Sequence, residues 1–243
     1  MLQFERQQQI LEFLRQEHSA SIKKIARQIF TSESSVRRDV DALERKGFVT
    51  KIYGGVVLAE HKNDVVPVAL RDSISSAAKE RIAQRAAQMV FDGAVILMDS
   101  SSTVRRICKY LGGFRDLTII TNNQNIFNEC TDKSICLYCT GGRVDPVNNT
   151  FVGPSAEEYV RKIHADILFF SMQGLAEDGD ITDVSEAETS LRSVMLQHAT
   201  KKVFLCDASK LGVKKHFKLC NRKDIDEIIC DAPLPWENAN LSD

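Results

Sequence analysis

The sequence predicts a two-domain α/β protein, in which a small helical head precedes a larger body built on a mostly parallel sheet. Apolar residues recur at helical spacing in three successive N-terminal segments. From residue 94 onward, short apolar runs alternate with helical patterns, which is typical of strands buried on both faces. Polar residues 61–64 and Pro67 separate the two patterns. We therefore expect a head at 1–60, a linker at 61–74, a body at 75–232 and a tail at 233–243.

Composition and charge narrow the class of protein. The chain has 243 residues, 43% of them hydrophobic, and a net charge of −1, so it can form a sizeable core. Residues 1–62 carry 11 Lys+Arg and 8 Asp+Glu, which makes the head mildly basic and the remainder mildly acidic. This asymmetry fits a small DNA-contacting head on a neutral-to-acidic body. We expect no transmembrane helix, because no apolar run reaches about 18 residues.

The N-terminal residues and the cysteines indicate the cellular compartment in which the protein is expected. Met1–Gln9 is polar and lacks the apolar core of a signal peptide, so we expect a cytoplasmic protein. The seven cysteines are mostly inside apolar runs and read as reduced core thiols. Cys136 and Cys139 have the spacing of a metal or redox pair, but on a strand they would point to opposite faces. We expect no metal site and no cofactor.

Residues 32–47 read as one helix with a packed side and a free side. Ser32 is a good N-cap, and Gly47 is a good C-terminal stop. Val36, Val40 and Leu43 form a narrow apolar stripe, and short polar side chains and arginine lie opposite. Such a face suits the major groove of DNA, although it also suits an ordinary solvated surface helix.

The neighbouring segments favour the DNA reading. Helices are predicted at Gln3–Gln16 and, capped by Ser21, at Ile22–Ile29, with a break at His18–Ala20. The turn at Phe30–Thr31 then gives helix-turn-helix spacing. Phe48–Tyr53, the Gly54–Gly55 turn and Val56–Leu58 predict a hairpin, which is the wing of a winged helix. The predicted contacts to double-stranded operator DNA are Ser32, Glu33, Ser34, Ser35, Arg37, Arg38, Lys51, Tyr53, Gly54 and Gly55.

Two of these assignments have alternatives. Arg37 is as well placed to pair with Asp41, one turn further along the helix, as to contact a base. Tyr53 is as well placed to fill a small core beneath the wing as to lie beside the phosphate backbone. Phosphate contacts position a protein on DNA, and base contacts specify the sequence.

The motif residues of the head resemble a known family. The pattern resembles the winged helix-turn-helix of the DeoR family of bacterial repressors, and it comprises Ser32, Ser35, Val36, Arg37, Arg38, Asp39, Val40, Leu43, Glu44, Gly47, Gly54 and Gly55. The resemblance implies a transcriptional regulator, most often a repressor.

The body begins with a predicted helix at Ser75–Phe91, with Ile82, Ala86, Met89 and Val90 inward. Strands are predicted at Ala94–Met98, Leu117–Ile120, Ile135–Cys139, Ile167–Phe170, Val203–Cys206 and Ile228–Cys230. Helices are predicted near Val104–Leu111, before Cys130, at Ala156–His164 and at Ser185–Ala199, and Trp236 is expected to dock onto the body. In such sheets, ligands bind at the carboxyl ends of the strands.

Polar groups follow five of these strand ends. They combine carboxylates, amides, hydroxyls, helix N-terminal N–H groups and two cations, which together suit a small phosphorylated ligand rich in hydroxyls. The predicted effector-binding residues at the strand ends are Asp99, Ser100, Ser101, Ser102, Thr103, Asn122, Asn123, Gly141, Gly142, Arg143, Asp207 and Lys210.

The body also resembles the DeoR family, whose sensor domain has the fold of sugar-phosphate isomerases and coenzyme A transferases. The resemblance adds Glu188 to the effector-binding set and implies a phosphorylated sugar effector and a carbohydrate-utilisation operon. We expect a homodimer or homotetramer at the bacterial nucleoid, because a single winged helix reads too few base pairs for tight specific binding. Ser101 and Ser171 stand where the family usually has glycine. Two alternatives remain: a sugar-phosphate isomerase or transferase using Asp99, Asp207, Glu188 and Lys210, and a thiol-based redox regulator.

Overall fold

The computed structural model describes residues 3–17, 19–45, 48–58, 75–130, 132, 134–146 and 148–236. The chain forms two compact units, Met1–Val65 and Val66–Asp243. The predicted linker at 61–74, with Pro67, and the predicted helix stop at Gly47 lie outside the described residues.

The described residues of the N-terminal unit form three helices and a three-stranded antiparallel sheet of order β1-β3-β2. The elements are α1 (Gln3–Glu17), β1 (Ser19–Ala20), α2 (Ile22–Gln28), α3 (Glu33–Arg45), β2 (Val49–Ile52) and β3 (Gly55–Leu58). Val36, Val40 and Leu43 are buried, so the predicted packed side of α3 is confirmed. They share the core of this unit with Ile10 and Leu14 of α1.

Two details of the wing differ from the prediction. Residues Ser19–Ala20, expected only to break the helix, form the third strand by pairing with Val57 and Val56. The turn consists of Tyr53 and Gly54 rather than Gly54 and Gly55, because Ile52 pairs with Gly55. Gly54 has the left-handed φ of +85°, which glycine adopts without steric cost. A Cβ on Gly55 would lie 2.9 Å from the Ala20 carbonyl oxygen, so the added strand requires glycine there.

The C-terminal unit is built on a six-stranded sheet of order β14-β12-β9-β4-β5-β6, in which every neighbouring pair is parallel. This confirms the predicted α/β class. Its strands are β4 (Val95–Met98), β5 (Thr118–Thr121), β6 (Cys136–Cys139), β9 (Ala165–Phe170), β12 (Ala199–Cys206) and β14 (Glu227–Cys230). Smaller sheets join β7 (Arg143–Asp145) to β8 (Thr150–Val152), and β10 (Gly174–Leu175) to β11 (Asp180–Asp183) and β13 (Phe217–Asn221).

Helices cover both faces of the large sheet. They are α4 (Ser76–Ala87), α5 (Ser102–Arg105), α6 (Pro154–Val160) and α7 (Glu186–Gln197), with 3-10 turns at Arg106–Tyr110, Gln124–Asn128, Ala208–Lys210 and Arg222–Asp224. Ile96 packs with Ile82 of α4 on one face, whereas Leu97 packs with Leu191 of α7 on the other. Alternation along one strand therefore places side chains in two cores.

Several expected boundaries and contacts are corrected. The helix expected at Ala156–His164 ends at Val160, and the one expected at Ser75–Phe91 ends at Ala87. Cys136 is exposed on edge strand β6, so the prediction that it is a core cysteine is wrong. Trp236 packs against the body as expected, with the Arg222 guanidinium 4.2 Å from its ring centroid.

Two further properties of the described residues concern membranes and metal ions. Within the described ranges, no helix is long and apolar enough to cross a membrane. Nor does that part of the chain hold a group of three His, Cys, Asp or Glu side chains arranged for a metal ion.

The motif residue Asp39 has a structural role that the sequence did not reveal. Its carboxylate is fully buried and accepts hydrogen bonds from Arg6 of α1, with Nη2 3.2 Å from Oδ1. The hydrogen bond with Asp39 raises the pKa of the Arg6 guanidinium. This pair joins α1 to the recognition-type helix α3.

We predict that Arg6→Ala destabilises the N-terminal unit by about 2–3 kcal/mol, because it leaves a buried carboxylate without its partner. Arg37→Ala is the matched control, because the Arg37 side chain is exposed and its ion pair with Glu33 is long, at 3.9 Å. This substitution should lower the free energy of unfolding by less than about 0.5 kcal/mol. For both variants, the measurement is urea unfolding, monitored by hydrogen exchange of the backbone amides of α3. Equal effects from the two substitutions would contradict the structural role of Asp39.

Candidate functional site

The free face of α3 begins with a cluster of hydroxyl groups. The Ser32 Oγ accepts the backbone N–H of Ser35 at 3.2 Å and lies 3.0 Å from the Ser34 hydroxyl. Ser32 therefore caps the helix as predicted, while Ser34 stays exposed beside it. Arg38 is also exposed, and its Nε lies 3.4 Å from the Ser34 carbonyl oxygen. The cluster presents short donors and acceptors together with a cation.

Arg37 faces solvent rather than Asp41. Its Nη2 lies 3.9 Å from Glu33, and 66% of its side chain is exposed, so the alternative of a pair with Asp41 is wrong. The reason is that Asp41 is bonded to a different cation, Lys51 of the wing. Arg37 therefore remains available to a partner outside the unit.

Lys51 connects the wing to α3. Its ammonium lies 2.5 Å from Asp41 and 2.7 Å from Glu44, and its backbone N–H donates to Glu44 at 3.1 Å. The hydrogen bonds with the two carboxylates raise the pKa of Lys51 and lower those of Asp41 and Glu44. Lys51 thus fixes the wing against α3, and a DNA phosphate there would compete with two carboxylates.

A crevice of about 580 Å³ separates α3 from the wing. It brings together five of the predicted contact residues, which are Glu33, Arg37, Lys51, Gly54 and Gly55, and adds Lys23 of α2, which sequence reasoning missed. Tyr53 is fully exposed at the tip of the wing, so the alternative that it fills a core beneath the wing is wrong.

In the body, a buried guanidinium lies at the carboxyl ends of the strands. Arg192 of α7 is 2% exposed and donates to Asp99 at 2.7 Å and to Glu188 at 2.9 Å, with Asp183 at 3.5 Å. Burial acts to lower the pKa of Arg192, but the charges of Asp99, Glu188 and Asp183 outweigh it and raise that pKa. Sequence reasoning missed Arg192, although Glu188 and Arg192 are one turn apart on a predicted helix.

This arrangement gives Asp99 and Glu188 internal partners. Asp99 also accepts the backbone N–H groups of Ser101 and Ser171, and Glu188 accepts the Ser100 hydroxyl at 3.2 Å. Both carboxylates hold loops in place, and neither lines the cavity described next.

The body has a cavity of about 270 Å³ beside these loops. Four predicted effector-binding residues line it: Ser101, Ser102, Asp207 and Lys210. The other lining residues are not in the predicted effector-binding set, although four of them follow two of the five strand ends. These residues are Lys79, Ser171, Met172, Gln173, Ser209, Val213 and Lys215, and the four at strand ends are Ser171, Met172, Gln173 and Ser209. The polar lining therefore combines three lysines with hydroxyls and one carboxylate.

Hydrogen bonds orient the polar groups of this cavity. The Lys210 ammonium lies 2.7 Å from the Ser171 hydroxyl and 3.7 Å from Asp207 Oδ2. Asp207 Oδ1 accepts the Ser209 hydroxyl, whereas the buried Oδ2 has no hydrogen-bond partner among the residues that the structure describes. An Oδ2 without a donor is a group that a ligand hydroxyl would satisfy.

Ser101 and Ser171, at the two positions where the family resemblance predicts glycine, have defined contacts. The Ser101 hydroxyl accepts the Val104 backbone N–H at 3.2 Å and so occupies a donor that the predicted phosphate cradle would have used. The Ser171 hydroxyl donates to the Leu205 carbonyl oxygen at 2.6 Å and accepts from Lys210. Both side chains narrow the cavity that they line.

The other predicted effector-binding residues lie outside the cavity lining, and these are Asp99, Ser100, Thr103, Asn122, Asn123, Gly141, Gly142, Arg143 and Glu188. Asn122 donates to Thr150 at 2.6 Å and to the Phe151 carbonyl at 3.1 Å, so it holds β8 to the sheet. Asn123 donates to the Ser100 carbonyl oxygen at 3.2 Å. A Cβ on Gly142 would lie 2.8 Å from the Val152 carbonyl, and Arg143 is exposed on β7.

Comparison with protein-family models gives two matches that together cover most of the chain. Residues 6–62 match the DeoR-like helix-turn-helix domain. Residues 74–232 match the DeoR C terminal sensor domain.

Individual sequence relatives agree with the family models. The HTH-type transcriptional regulator GolR of Listeria innocua is 32% identical over 232 residues, covering 95% of this chain and 91% of that protein. The L-fucose operon activator of Haemophilus influenzae is 29% identical, covering 95% of this chain and 92% of its own length. Among solved structures, ribose 5-phosphate isomerase A of Methanocaldococcus jannaschii is 18% identical, with a TM-score of 0.41 over 56% of this chain and 54% of that chain.

We predict that Arg192→Met lowers the free energy of unfolding of the body by about 3–5 kcal/mol, because three buried carboxylates lose their shared cation. The matched control is Arg161→Met, since Arg161 is exposed and pairs with Glu157 one turn away at 3.2 Å; it should cost less than about 0.5 kcal/mol. Urea unfolding monitored by circular dichroism measures the difference. An Arg192 variant as stable as the control would refute the role given to this cluster.

Proposed function

The chain belongs to the DeoR family of DNA-binding transcriptional regulators, and from that premise we propose that it represses a carbohydrate-utilisation operon under the control of a phosphorylated sugar. The head would read the operator, and the body would bind the effector. The proposed division is a DNA-binding domain at 1–60, a linker at 61–74, an effector-sensing domain at 75–232 and a tail at 233–243.

The observation that carries the effector proposal is the lining of the body cavity. Three lysines, Lys79, Lys210 and Lys215, face a volume of about 270 Å³ together with serine hydroxyls and the Asp207 carboxylate. Ammonium and hydroxyl groups are suitable ligands for a phosphate, and a carboxylate is a suitable acceptor for sugar hydroxyls. A small phosphorylated sugar offers both kinds of group in one molecule.

The DNA proposal rests on the exposed face of α3 and the wing. Arg37 and Arg38 are exposed near the start of the helix, where arginine can reach guanine in the major groove. Ser32, Ser34 and Ser35 supply hydroxyls, and Tyr53 at the wing tip is placed for the phosphate backbone.

Assembly and location follow from this role. One winged helix reads few base pairs, so we propose a homodimer or homotetramer that binds repeated or palindromic half-sites. Such a regulator would act in the cytoplasm, at the nucleoid. The sign of regulation is proposed from the repressors that predominate in the family, whereas the Haemophilus relative is named an activator. Transcription in vitro from the chain's own promoter, with and without the protein, distinguishes repression from activation.

The enzyme alternative has weaker support. Of the four groups that would act as acid or base, Asp99 and Glu188 are bonded to Arg192 and do not line the cavity. Asp207 and Lys210 alone remain beside the ligand space. Turnover of pentose or hexose phosphates at ordinary enzyme rates would favour the isomerase interpretation.

We predict that Arg38→Ala weakens binding to the operator by about 1–3 kcal/mol while leaving the fold intact, because it removes an exposed cation without a buried partner. Fluorescence anisotropy with a duplex of the chain's own promoter, at fixed salt, measures the change. Arg115→Ala is the control, since Arg115 is an exposed arginine of the body that pairs with Asp92. An unchanged affinity of the Arg38 variant would remove this residue from the interface.

We predict that one member of a panel of pentose and hexose monophosphates raises the stability of the protein, by about 2.7 kcal/mol when present at 100 times its Kd. Lys210→Met should reduce this stabilisation at equal ligand concentration, because it removes one of the cations of the cavity. Lys162→Met, an exposed lysine of the body, should leave it unchanged. Thermal shift measures all three proteins, and a panel without effect on the wild type would count against the effector class.

The sequence predicts that Asp99 is an effector-binding residue, and on that basis Asp99→Ala would abolish the effector response and spare DNA binding. Because Asp99 is a buried partner of Arg192, Asp99→Ala is expected to lower stability rather than to abolish the effector response alone.

A further inference from the structure

We propose that Lys79 is the ligand-binding residue through which occupancy of the body cavity changes the first turn of α4, and so the chain leading to the head. This inference rests on the proposed function, since it assigns a regulatory role to one residue of the same cavity. It gives Lys79 a role that Lys210 and Lys215 do not share, since those two lysines would only strengthen ligand binding.

The position of Lys79 is unusual for a lysine. The residue is only 4% exposed, on the side of α4 that packs against the sheet with Ile82 and Ala83. Its ammonium lies 3.2 Å from the Ser102 hydroxyl, at the wall of the cavity. Burying an ammonium group is costly unless polar or anionic groups surround it. An anion in the cavity would lie within reach of this ammonium, in a poorly hydrated wall where opposite charges attract each other more strongly than in water.

The three lysines of the cavity differ in the elements that carry them. Lys210 ends the 3-10 turn Ala208–Lys210, and Lys215 follows it, far along the sequence from the head. Lys79 lies in the first turn of α4, five residues after the segment 59–74 that connects the two units in sequence. Of the three, Lys79 is thus the lysine nearest to the head in sequence.

The first turn of α4 begins after a residue in an unusual backbone conformation, and Lys79 is hydrogen-bonded to that residue. Ser75, which precedes the helix, has the left-handed conformation φ 54°, ψ 34° and makes no side-chain cap. This conformation is sterically disfavoured for a residue other than glycine, so the start of the helix is strained. The backbone N–H of Lys79 donates to the Ser75 carbonyl at 3.0 Å. A shift of Lys79 would therefore act directly on the strained residue.

A ligand changes a conformational equilibrium only by binding two states with different affinity. The Lys79 ammonium donates to the Ser102 hydroxyl at 3.2 Å. A phosphate would draw the same ammonium toward the cavity and favour one arrangement of residues 75–79. Replacement of Lys79 should thus lower the affinity of the cavity for phosphate and also the effect of bound phosphate on the first turn of α4. Replacement of Lys210 should lower the affinity for phosphate, but saturating phosphate should still change the first turn of α4.

The test uses the full chain with inorganic phosphate as the probe, and compares wild type, Lys79→Met and Lys210→Met. Calorimetry gives the phosphate concentration that saturates each protein, and hydrogen exchange with mass spectrometry follows the peptide 76–82. At saturation, the wild type and Lys210→Met should show exchange that is slower by at least about fivefold in this peptide. Lys79→Met should bind phosphate more weakly and show no slowing. Lys79→Arg, which keeps the cation, should restore part of the effect and guards against a folding defect.

The outcomes separate this inference from the proposed function. Equal slowing in saturated Lys79→Met and wild type would overturn the role of Lys79, as would loss of the effect in Lys210→Met. Phosphate binding by the wild type without slowing in peptide 76–82 would overturn the inference and leave the anion-binding cavity in place. Failure of the wild type to bind phosphate at all would overturn both.

Discussion

The half of the body that contains the cavity depends on one buried interaction, the guanidinium of Arg192 shared among Asp99, Asp183 and Glu188. Three carboxylates that are almost fully buried require a cation at this point, because their mutual repulsion in a poorly hydrated site would otherwise be large. The interaction ties α7 to the end of β4. Through Asp99 it also fixes the backbone N–H groups of Ser101 and Ser171, both of which line the cavity. The shape of the cavity therefore follows from a cluster that lies outside its lining.

The sequence predicts the large sheet well, because its strands are continuous apolar runs with helices between them. The alternation of Ile96 and Leu97 between two cores is the kind of pattern that periodicity captures. The short strands were missed for a physical reason. A two-residue strand such as Ser19–Ala20 has no periodicity of its own and exists only because β3 offers a partner. The pairing of β11 with β13 is equally non-local.

The candidate site was predicted in part. The rule that ligands bind at the carboxyl ends of parallel strands leads to Ser101, Ser102, Asp207 and Lys210, which the structure places in one cavity lining. The same rule does not separate the ends of β4 and β12 from those of β5 and β6, where Asn122 and Arg143 lie away from the cavity. It also says nothing of Lys79, which comes from a helix and whose role depends on packing that one sequence does not display.

The contact of Lys51 with Asp41 and Glu44 has a consequence for the thermodynamics of DNA binding. Cations that approach phosphates free condensed counterions from the duplex, and this release makes affinity fall steeply with ionic strength. The positive charge of Lys51 is already balanced by ion pairs with two carboxylates of the protein, Asp41 and Glu44. Its positive charge would therefore release fewer ions than a free lysine would, and a larger share of the binding energy would come from contacts that salt does not screen.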